Sequence, residues 1–145
     1  MRRRLPDGYE IDDDRERVDV EAVHRFLAEE AYWVQGRSRE VIDGLVRTST
    51  RVIAAYAPDG SLVGFARVVS DGVNVAWLGD VFVLAPHRGR GLGTEIVREA
   101  VEDAALLDVH WYLNTRDAHG LYRRFGFEPA DPGRTMVRPR GSRST

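Results

Sequence analysis

The sequence predicts a single mixed α/β domain in which one mostly antiparallel central sheet is flanked by about four helices. Three observations lead to this fold class. The chain has 145 residues, enough for one domain with its own core. Strand-like segments joined by tight turns fill the first half, and apolar residues recur at helical spacing after Pro86. We place the domain at residues 8–137, with flexible tails at 1–7 and 138–145.

The first half predicts a short strand, two capped helices and a three-stranded meander. The short strand is at 9–11, and Asp19 and Ser38 are positioned to cap helices whose apolar residues recur at helical spacing. Turns containing Gly60 and Gly72 join the strands that follow. These three strands are predicted at 51–57, 62–69 and 73–84. Consecutive strands joined by tight turns indicate antiparallel neighbours.

The second half predicts a long helix, a strand, a short helix and a last strand or hairpin. Apolar residues follow one side of the long helix over 92–105, and charged residues lie on the other side. A strand is predicted at 109–115, and Asp117 is positioned to cap a short helix over 118–125. The remaining residues up to Val137 predict a last strand or hairpin.

Composition excludes several classes of function. The net charge is −2 and all 21 basic residues are Arg, which disfavours nucleic-acid binding and excludes the Lys of a P-loop or a Schiff base. The chain has no Cys, and its four His are not spaced as metal ligands. No apolar stretch is long enough to span a bilayer. We therefore expect a cytoplasmic protein without nucleic-acid, membrane or metal partners.

A loop with three glycines leads from the meander into the long helix. It contains Gly89, Gly91 and Gly93, together with Arg88 and Arg90. Free N–H groups at the start of a helix bind anions, and glycine lets a bulky phosphate approach the backbone. The spacing is not Gly-x-Gly-x-x-Gly, which disfavours a dinucleotide-binding Rossmann loop. The loop therefore favours pyrophosphate binding, and an ordinary Gly-rich turn before a helix is the alternative.

Two motifs resemble the signatures of the GNAT superfamily of N-acetyltransferases. Arg88-x-x-Gly91-x-Gly93 is similar to the family's Arg/Gln-x-x-Gly-x-Gly/Ala signature, and residues 118–127 are similar to its Ala-x-x-Leu-Tyr-x-x-x-Gly-Phe signature. The order of predicted elements resembles that of the family from about residue 9 to 137. One position departs from the pattern, because Thr115 stands where the family often has an Asn that contacts the cofactor.

The resemblance implies that acetyl-CoA is the co-substrate. Backbone amides of the loop would hold its pyrophosphate, and the strand before the loop would polarise the thioester carbonyl. The residues that the resemblance assigns to the cofactor are Phe82, Val83, Arg88, Gly89, Arg90, Gly91, Leu92, Gly93, Thr94, Thr115 and Tyr122. No metal is implied.

Tyr122 and Asp80 are the candidate catalytic residues. Tyr122 would give a proton to the leaving thiolate, and the alternative is a tyrosine whose hydroxyl caps a carbonyl at a helix end. Asp80 lies within an apolar strand, where a carboxylate is costly unless it is paired or faces a cleft. It would act as a base or anchor the ammonium group of the acceptor. The alternative for Asp80 is a salt bridge with Arg67 or Arg116.

The predicted function is transfer of an acetyl group from acetyl-CoA to a primary amine of a small, partly apolar molecule, by direct attack in a ternary complex. Asp80, Tyr32 and Trp33 would form the acceptor site, and the two aromatic residues belong equally well to the core. Two other functions stay open: a protein or peptide N-acetyltransferase, and a non-catalytic acyl-CoA-binding regulatory module. The identity of the amine, the length of the donor acyl group and the existence of a homodimer also stay open.

Overall fold

The structure is a computed structural model that describes residues 1–29 and 36–144. The described residues form one six-stranded sheet. Its strands are β1 (Arg2–Arg4), β2 (Glu10–Asp12), β3 (Arg51–Tyr56), β4 (Leu62–Ser70), β5 (Val75–Val83) and β6 (His110–Tyr112). Each strand lies beside the next one along the chain, and all pairs are antiparallel except β5 and β6, which are parallel. The predicted mixed, mostly antiparallel sheet is confirmed.

Helices cover both faces of this sheet. The described residues contain α1 (Val20–Glu29), α2 (Arg39–Thr48), α3 (Leu92–Val101) and α4 (His119–Arg123). On one face, Phe26 of α1 and Ile42 of α2 share a buried cluster with Phe82 of β5. On the other face α3 packs closely on β4. A Cβ added to Gly64 of β4 would lie only 2.9 Å from Cδ1 of Ile96 on α3, so only glycine leaves room for this contact. None of the helices that the structure describes is long and apolar enough to cross a membrane.

Two of the predicted helix caps are confirmed and the third is wrong. Asp19 and Ser38 each accept a backbone N–H three residues further on, at 3.1 and 3.2 Å, where α1 and α2 begin. No side chain of the described residues caps α4, whose N-cap is Ala118, and the Ala118 N–H is instead accepted by Thr115 Oγ1 at 3.0 Å in the turn before the helix. Asp117 precedes Ala118 directly and is too close along the chain for this geometry.

The predicted N-terminal tail is a strand over part of its length. Residues Arg2–Arg4 form β1 at the edge of the sheet. The Arg3 guanidinium donates to Glu95 and Glu99 of α3 at 2.9 and 3.1 Å. An Arg-rich segment is therefore ordered here because carboxylates on a neighbouring element match its charges.

The predicted last strand or hairpin after the short helix is not formed in the described residues. Every residue from Glu128 to Ser144 is exposed, so this segment packs no face against the rest of the chain, as a strand in a sheet does. Pro129 and Pro132 also lack the N–H that a ladder hydrogen bond needs. The sheet ends at β6.

The ion pairs of β2 predict a specific dependence of stability on pH. Hydrogen bonds from Arg2, and from Arg17, hold the pKa of Glu10 at about 2, well below its ordinary value. Because the folded-state pKa is lowered, the stabilising contribution of Glu10 is fully present above about pH 4.5, its pKa in the unfolded chain. That contribution is lost as the pH falls towards 2.

Replacement of Glu10 by Gln tests this assignment. At pH 7 we expect Glu10→Gln to unfold at a lower denaturant concentration than the wild type, and the difference should shrink between pH 4.5 and 2. Glu16→Gln is the matched control, because Glu16 is exposed on a nearby turn. A difference between Glu10→Gln and wild type that stays constant down to pH 2 would contradict the ion-pair assignment.

Candidate active site

The sheet opens between β5 and β6. Pairing of the two strands ends at Trp77 and Tyr112, but β5 continues to Val83. Past Trp77, the described residues provide no strand on this side of β5. The backbone around Phe82 and Val83 therefore lies at an open edge, where an extended ligand can form hydrogen bonds as an added strand would.

A β-bulge lies in the same part of β5. The register between β4 and β5 shifts between Phe65 and Arg67, whose partners on β5 are Phe82 and Gly79. The strand β5 therefore has one residue more than β4 at this point. Asp80 lies in the bulge at a φ of 54°, and it is the sole non-glycine with positive φ among the described residues. Bulges bend a strand and increase its twist, and this one lies just past the last residue of β5 that pairs with β6.

The helix α3 begins without a side-chain cap. Its N-cap is Gly91, in the left-handed region at φ 81°, and no side chain accepts the first N–H groups. The first helical hydrogen bond joins Glu95 N–H to the Gly91 carbonyl at 3.1 Å. The amides of Leu92, Gly93 and Thr94 precede this bond and point out of the helix. In contrast, α1 and α2 both have side-chain caps, so α3 presents free donors where an anion can bind.

Open space lies in front of these donors. A Cβ added to Gly89 or to Gly91 would meet no atom within 4 Å. A surface pocket of about 480 Å³ adjoins Gly91 and Thr94. Three guanidinium groups line it, from Arg90, Arg98 and Arg124, together with residues 5–7 and Glu95. Free amides, open space and clustered guanidinium groups fit a diphosphate.

The two arginines predicted for the loop have different positions. Arg90 lines the pocket, and its guanidinium lies 5.2 Å from the centre of the Tyr9 ring. Arg88 folds back instead, and its Nε donates to the Val83 carbonyl at 2.8 Å. Arg88 therefore fastens the loop to the end of β5. Arg98 and Arg124 were not predicted as pocket residues, although Arg124 lies within the second motif.

Tyr122 lies where α4 meets the start of α3 and the end of β5. Leu121 and Val83 would both lie 3.9 Å from a Cβ on Gly93, so the three elements meet at that glycine. Tyr122 is only 7% exposed. Burial raises the pKa of its phenol to about 12, and the nearby charge of Asp117 acts in the same direction. The hydroxyl therefore stays protonated across the physiological range.

The structural alternative for Tyr122 finds no support in the described residues, where no carbonyl accepts a hydrogen bond from its hydroxyl. Among the described residues, the fully buried side-chain polar atoms without a hydrogen-bond partner are Arg37 Nε and the Tyr56 hydroxyl. The Tyr122 hydroxyl is not among them, so it keeps some contact with solvent. Across the part of the chain that the structure describes, this protonated hydroxyl has no hydrogen-bond partner, and that arrangement suits a proton donor.

The second candidate, Asp80, is held by two arginines. Arg37 donates to both carboxylate oxygens at 2.7 and 3.2 Å, and Arg67 Nε donates to Oδ2 at 2.7 Å. The side chain of Asp80 is 7% exposed. Burial alone would raise the pKa of Asp80, but hydrogen bonds from Arg37 and Arg67 outweigh this effect and hold the pKa below its usual range.

This geometry favours the salt-bridge alternative for Asp80, with Arg67 as one of the two partners that the sequence suggested. A carboxylate with a lowered pKa is a weak base, and two guanidinium groups already neutralise its charge. Arg37 was not predicted, because it precedes Asp80 by 43 residues. Asp80, held by two guanidinium groups, is therefore poorly suited to act as the base or as the ammonium anchor.

The remaining predicted site residues have mixed outcomes. The Thr115 hydroxyl accepts the Ala118 N–H and so orders the start of α4, the helix that carries Tyr122. Tyr32 and Trp33, the predicted acceptor wall, lie outside the described residues. Of the predicted site residues, the structure brings together those at the start of α3, Tyr122 on α4 and those at the end of β5.

Comparison with protein families gives one match. Residues 20–127 match the model of the acetyltransferase (GNAT) family. This range includes α1 to α4, the glycine loop and Tyr122. No curated protein matches the chain.

Solved structures with the same fold include a GNAT-family protein of Xanthomonas campestris pv. campestris. It is 34% identical to this chain with a TM-score of 0.85, over 90% of this chain and 92% of that one. A protein of Deinococcus radiodurans R1 is 23% identical with a TM-score of 0.75, over 97% and 94% of the two chains. A third, from Mycobacterium tuberculosis, was solved in complex with CoA and NLQ. It is 19% identical with a TM-score of 0.68, over 83% of this chain and 72% of that one.

Proposed function

The chain belongs to the GNAT acetyltransferase family and is an acyltransferase, and on this premise we propose that it transfers an acetyl group from acetyl-CoA to a primary amine of a small molecule. The amine attacks the thioester directly while both substrates are bound. The observation that carries the proposal is the uncapped start of α3, which lies beside an arginine-lined pocket and the open edge of β5. The CoA-bound relative from Mycobacterium tuberculosis supports the identity of the co-substrate.

The pyrophosphate of acetyl-CoA binds at the start of α3. The amides of Leu92, Gly93 and Thr94 donate to its oxygens, and the helix dipole adds a favourable field. Arg90 and Arg124 contribute positive charge from the pocket. Arg124 also donates to Thr94 Oγ1 at 3.0 Å, which ties α4 to the start of α3.

The reacting thioester lies along the open edge of β5. Near Phe82 and Val83, the backbone N–H groups of β5 that point away from β4 polarise its carbonyl, because β6 does not reach this part of the strand. The nitrogen lone pair of the amine forms the new C–N bond at the carbonyl carbon, and the C–S bond breaks. The thiolate takes a proton from the Tyr122 hydroxyl, and the ammonium proton passes to water, from which Tyr122 is reprotonated.

With Asp80 held by arginines, water at the open edge removes the proton from the amine. The rate should therefore rise with pH as the free amine becomes more abundant. Tyr122 has a pKa of about 12 and keeps its proton over the same range, so its ionisation should cause no decline in rate up to about pH 10.

Thiol release in the presence of amines tests the proposal. We expect acetyl-CoA mixed with small primary amines to give free CoA and an equal amount of N-acetyl product, measured by thiol titration and mass spectrometry. Alcohols of the same size are the control and should remain unchanged. Acetylation of peptides alone would favour the protein-modifying alternative. Tight CoA binding without thiol release for any amine or peptide would favour the binding-module alternative.

A further inference from the structure

The Arg37–Asp80–Arg67 cluster has more positive than negative charge. It contains two guanidinium groups and one carboxylate. Among the described residues, neither guanidinium has a second carboxylate within ion-pair distance. The side chains of Arg37 and Arg67 are only 14% and 17% exposed. In the part of the chain that the structure describes, one positive charge in a largely desolvated place is thus without a counterion.

A structural role does not account for this excess. Arg37 alone contacts both oxygens of Asp80, and Arg67 adds one bond to Oδ2, so the two guanidinium groups together carry one charge more than the carboxylate neutralises. Burial of a cation without a counterion is costly. Arg37 Nε is in addition buried without a hydrogen-bond partner among the described residues. The cluster therefore retains donors and charge for an anion that the described residues do not supply.

The cluster lies close to the proposed reaction centre. Asp80 is in the bulge of β5, and Phe82, two residues further on, belongs to the strand end that would polarise the thioester. The Phe82 ring stacks on Phe26 of α1 with centroids 4.1 Å apart. An anion bound at the cluster would thus lie on the side of the sheet that α1 and α2 cover. The pyrophosphate site at the start of α3 is on the other side.

We propose that Arg67 and Arg37 bind a carboxylate of the acceptor, so that the substrate is an amine that also carries a carboxylic acid, as an amino acid does. This inference rests on the proposed function and narrows its substrate class. Two coplanar oxygens of a carboxylate match the fork of donors on a guanidinium. A carboxylate has one negative charge and balances the single excess positive charge. The two negative charges of a phosphonate dianion would exceed the single excess positive charge of the cluster.

Matched substrates test the inference on the unaltered enzyme. We expect kcat/KM for alanine, leucine and phenylalanine to exceed that for their carboxamides by roughly 10- to 100-fold, the range of a charge-assisted hydrogen bond. The rates are compared at equal concentrations of free amine, because carboxamides have a lower amine pKa. Aminoalkylphosphonates form a third arm and should react more slowly than the amino acids.

The outcomes separate this inference from the proposed function. If carboxamides react as well as the acids, the carboxylate site is wrong although amine acetylation stands. If phosphonates react best, the anion has been misidentified. If no amine reacts while acetyl-CoA still binds, the proposed function itself fails.

Variants of Arg67 give a second test. Arg67→Met leaves Asp80 paired with Arg37 and removes the excess charge, so KM for amino acids should rise about 10- to 100-fold. KM for the carboxamides and the affinity for acetyl-CoA should change little. Arg67→Lys should restore part of the preference, because it restores the charge. Arg47→Met is the control, since Arg47 pairs with Asp43 on the exposed side of α2. An equal change for acids and carboxamides would show that Arg67 is only structural.

Discussion

Gly91→Asp should bind acetyl-CoA at least about 100-fold more weakly than the wild type, although its fold is retained. The substitution places a carboxylate at the start of α3, in space where no atom now lies within 4 Å of the added Cβ. Repulsion between like charges about 4 Å apart costs roughly 4 kcal/mol at an effective dielectric constant of 20. Calorimetric titration with acetyl-CoA measures the loss.

Gly91→Asn is the matched control for this variant. Asp and Asn have nearly the same shape, and both tolerate the left-handed backbone of Gly91 at φ 81° better than other non-glycine residues. Asp at the start of a helix also interacts favourably with the helix dipole. Gly91→Asp should therefore be no less stable than Gly91→Asn and yet bind acetyl-CoA much more weakly. Equal affinities in the two variants would place the pyrophosphate elsewhere.

Tyr122→Phe should lower kcat by about 100-fold and leave the affinity for acetyl-CoA nearly unchanged. General acid catalysis contributes roughly 10²–10⁴-fold. We expect the lower end of that range, because a phenol with a pKa of about 12 is a weak acid towards a thiolate. Steady-state kinetics with a fixed amine measures the change.

A test of packing accompanies this measurement. Phe retains the ring that lies edge-on to Phe127, with centroids 5.9 Å apart, so the melting temperature should change little. A variant with normal kcat would leave Tyr122 with a packing role alone. Leaving groups of lower thiol pKa need less proton donation, so thioesters of more acidic thiols should partly restore the rate of Tyr122→Phe.

Local patterns in the sequence were sufficient for the elements that carry the cofactor site. The apolar stripe predicts α3 from residue 92, and the structure begins it at Leu92. Glycines at 89 and 91 predict a backbone that a bulky phosphate can approach, and the space around both is open. These features depend on residues a few positions apart, which is the range over which helical period and turn chemistry act.

Contacts between distant residues could not be predicted in the same way. Asp80 lies 43 residues from Arg37 and 13 from Arg67, and a chain with 21 arginines offers many other partners. The bulge that holds Asp80 comes from a single extra residue in one strand, and its one local signal is Gly79, a glycine inside the strand. Pairing between Arg3 and Glu95 spans 92 residues and orders a segment whose composition indicated a tail.

The β1–β2 turn forms part of the wall of the arginine-lined pocket, which has a consequence for the choice of expression boundaries. Residues 5–7 line that pocket, whereas the match to the acetyltransferase (GNAT) family begins at residue 20. A truncation to the matched range would remove this wall and would leave Glu95 and Glu99 without Arg3. We therefore expect that a version able to hold the nucleotide end of acetyl-CoA in this pocket must include the first strand.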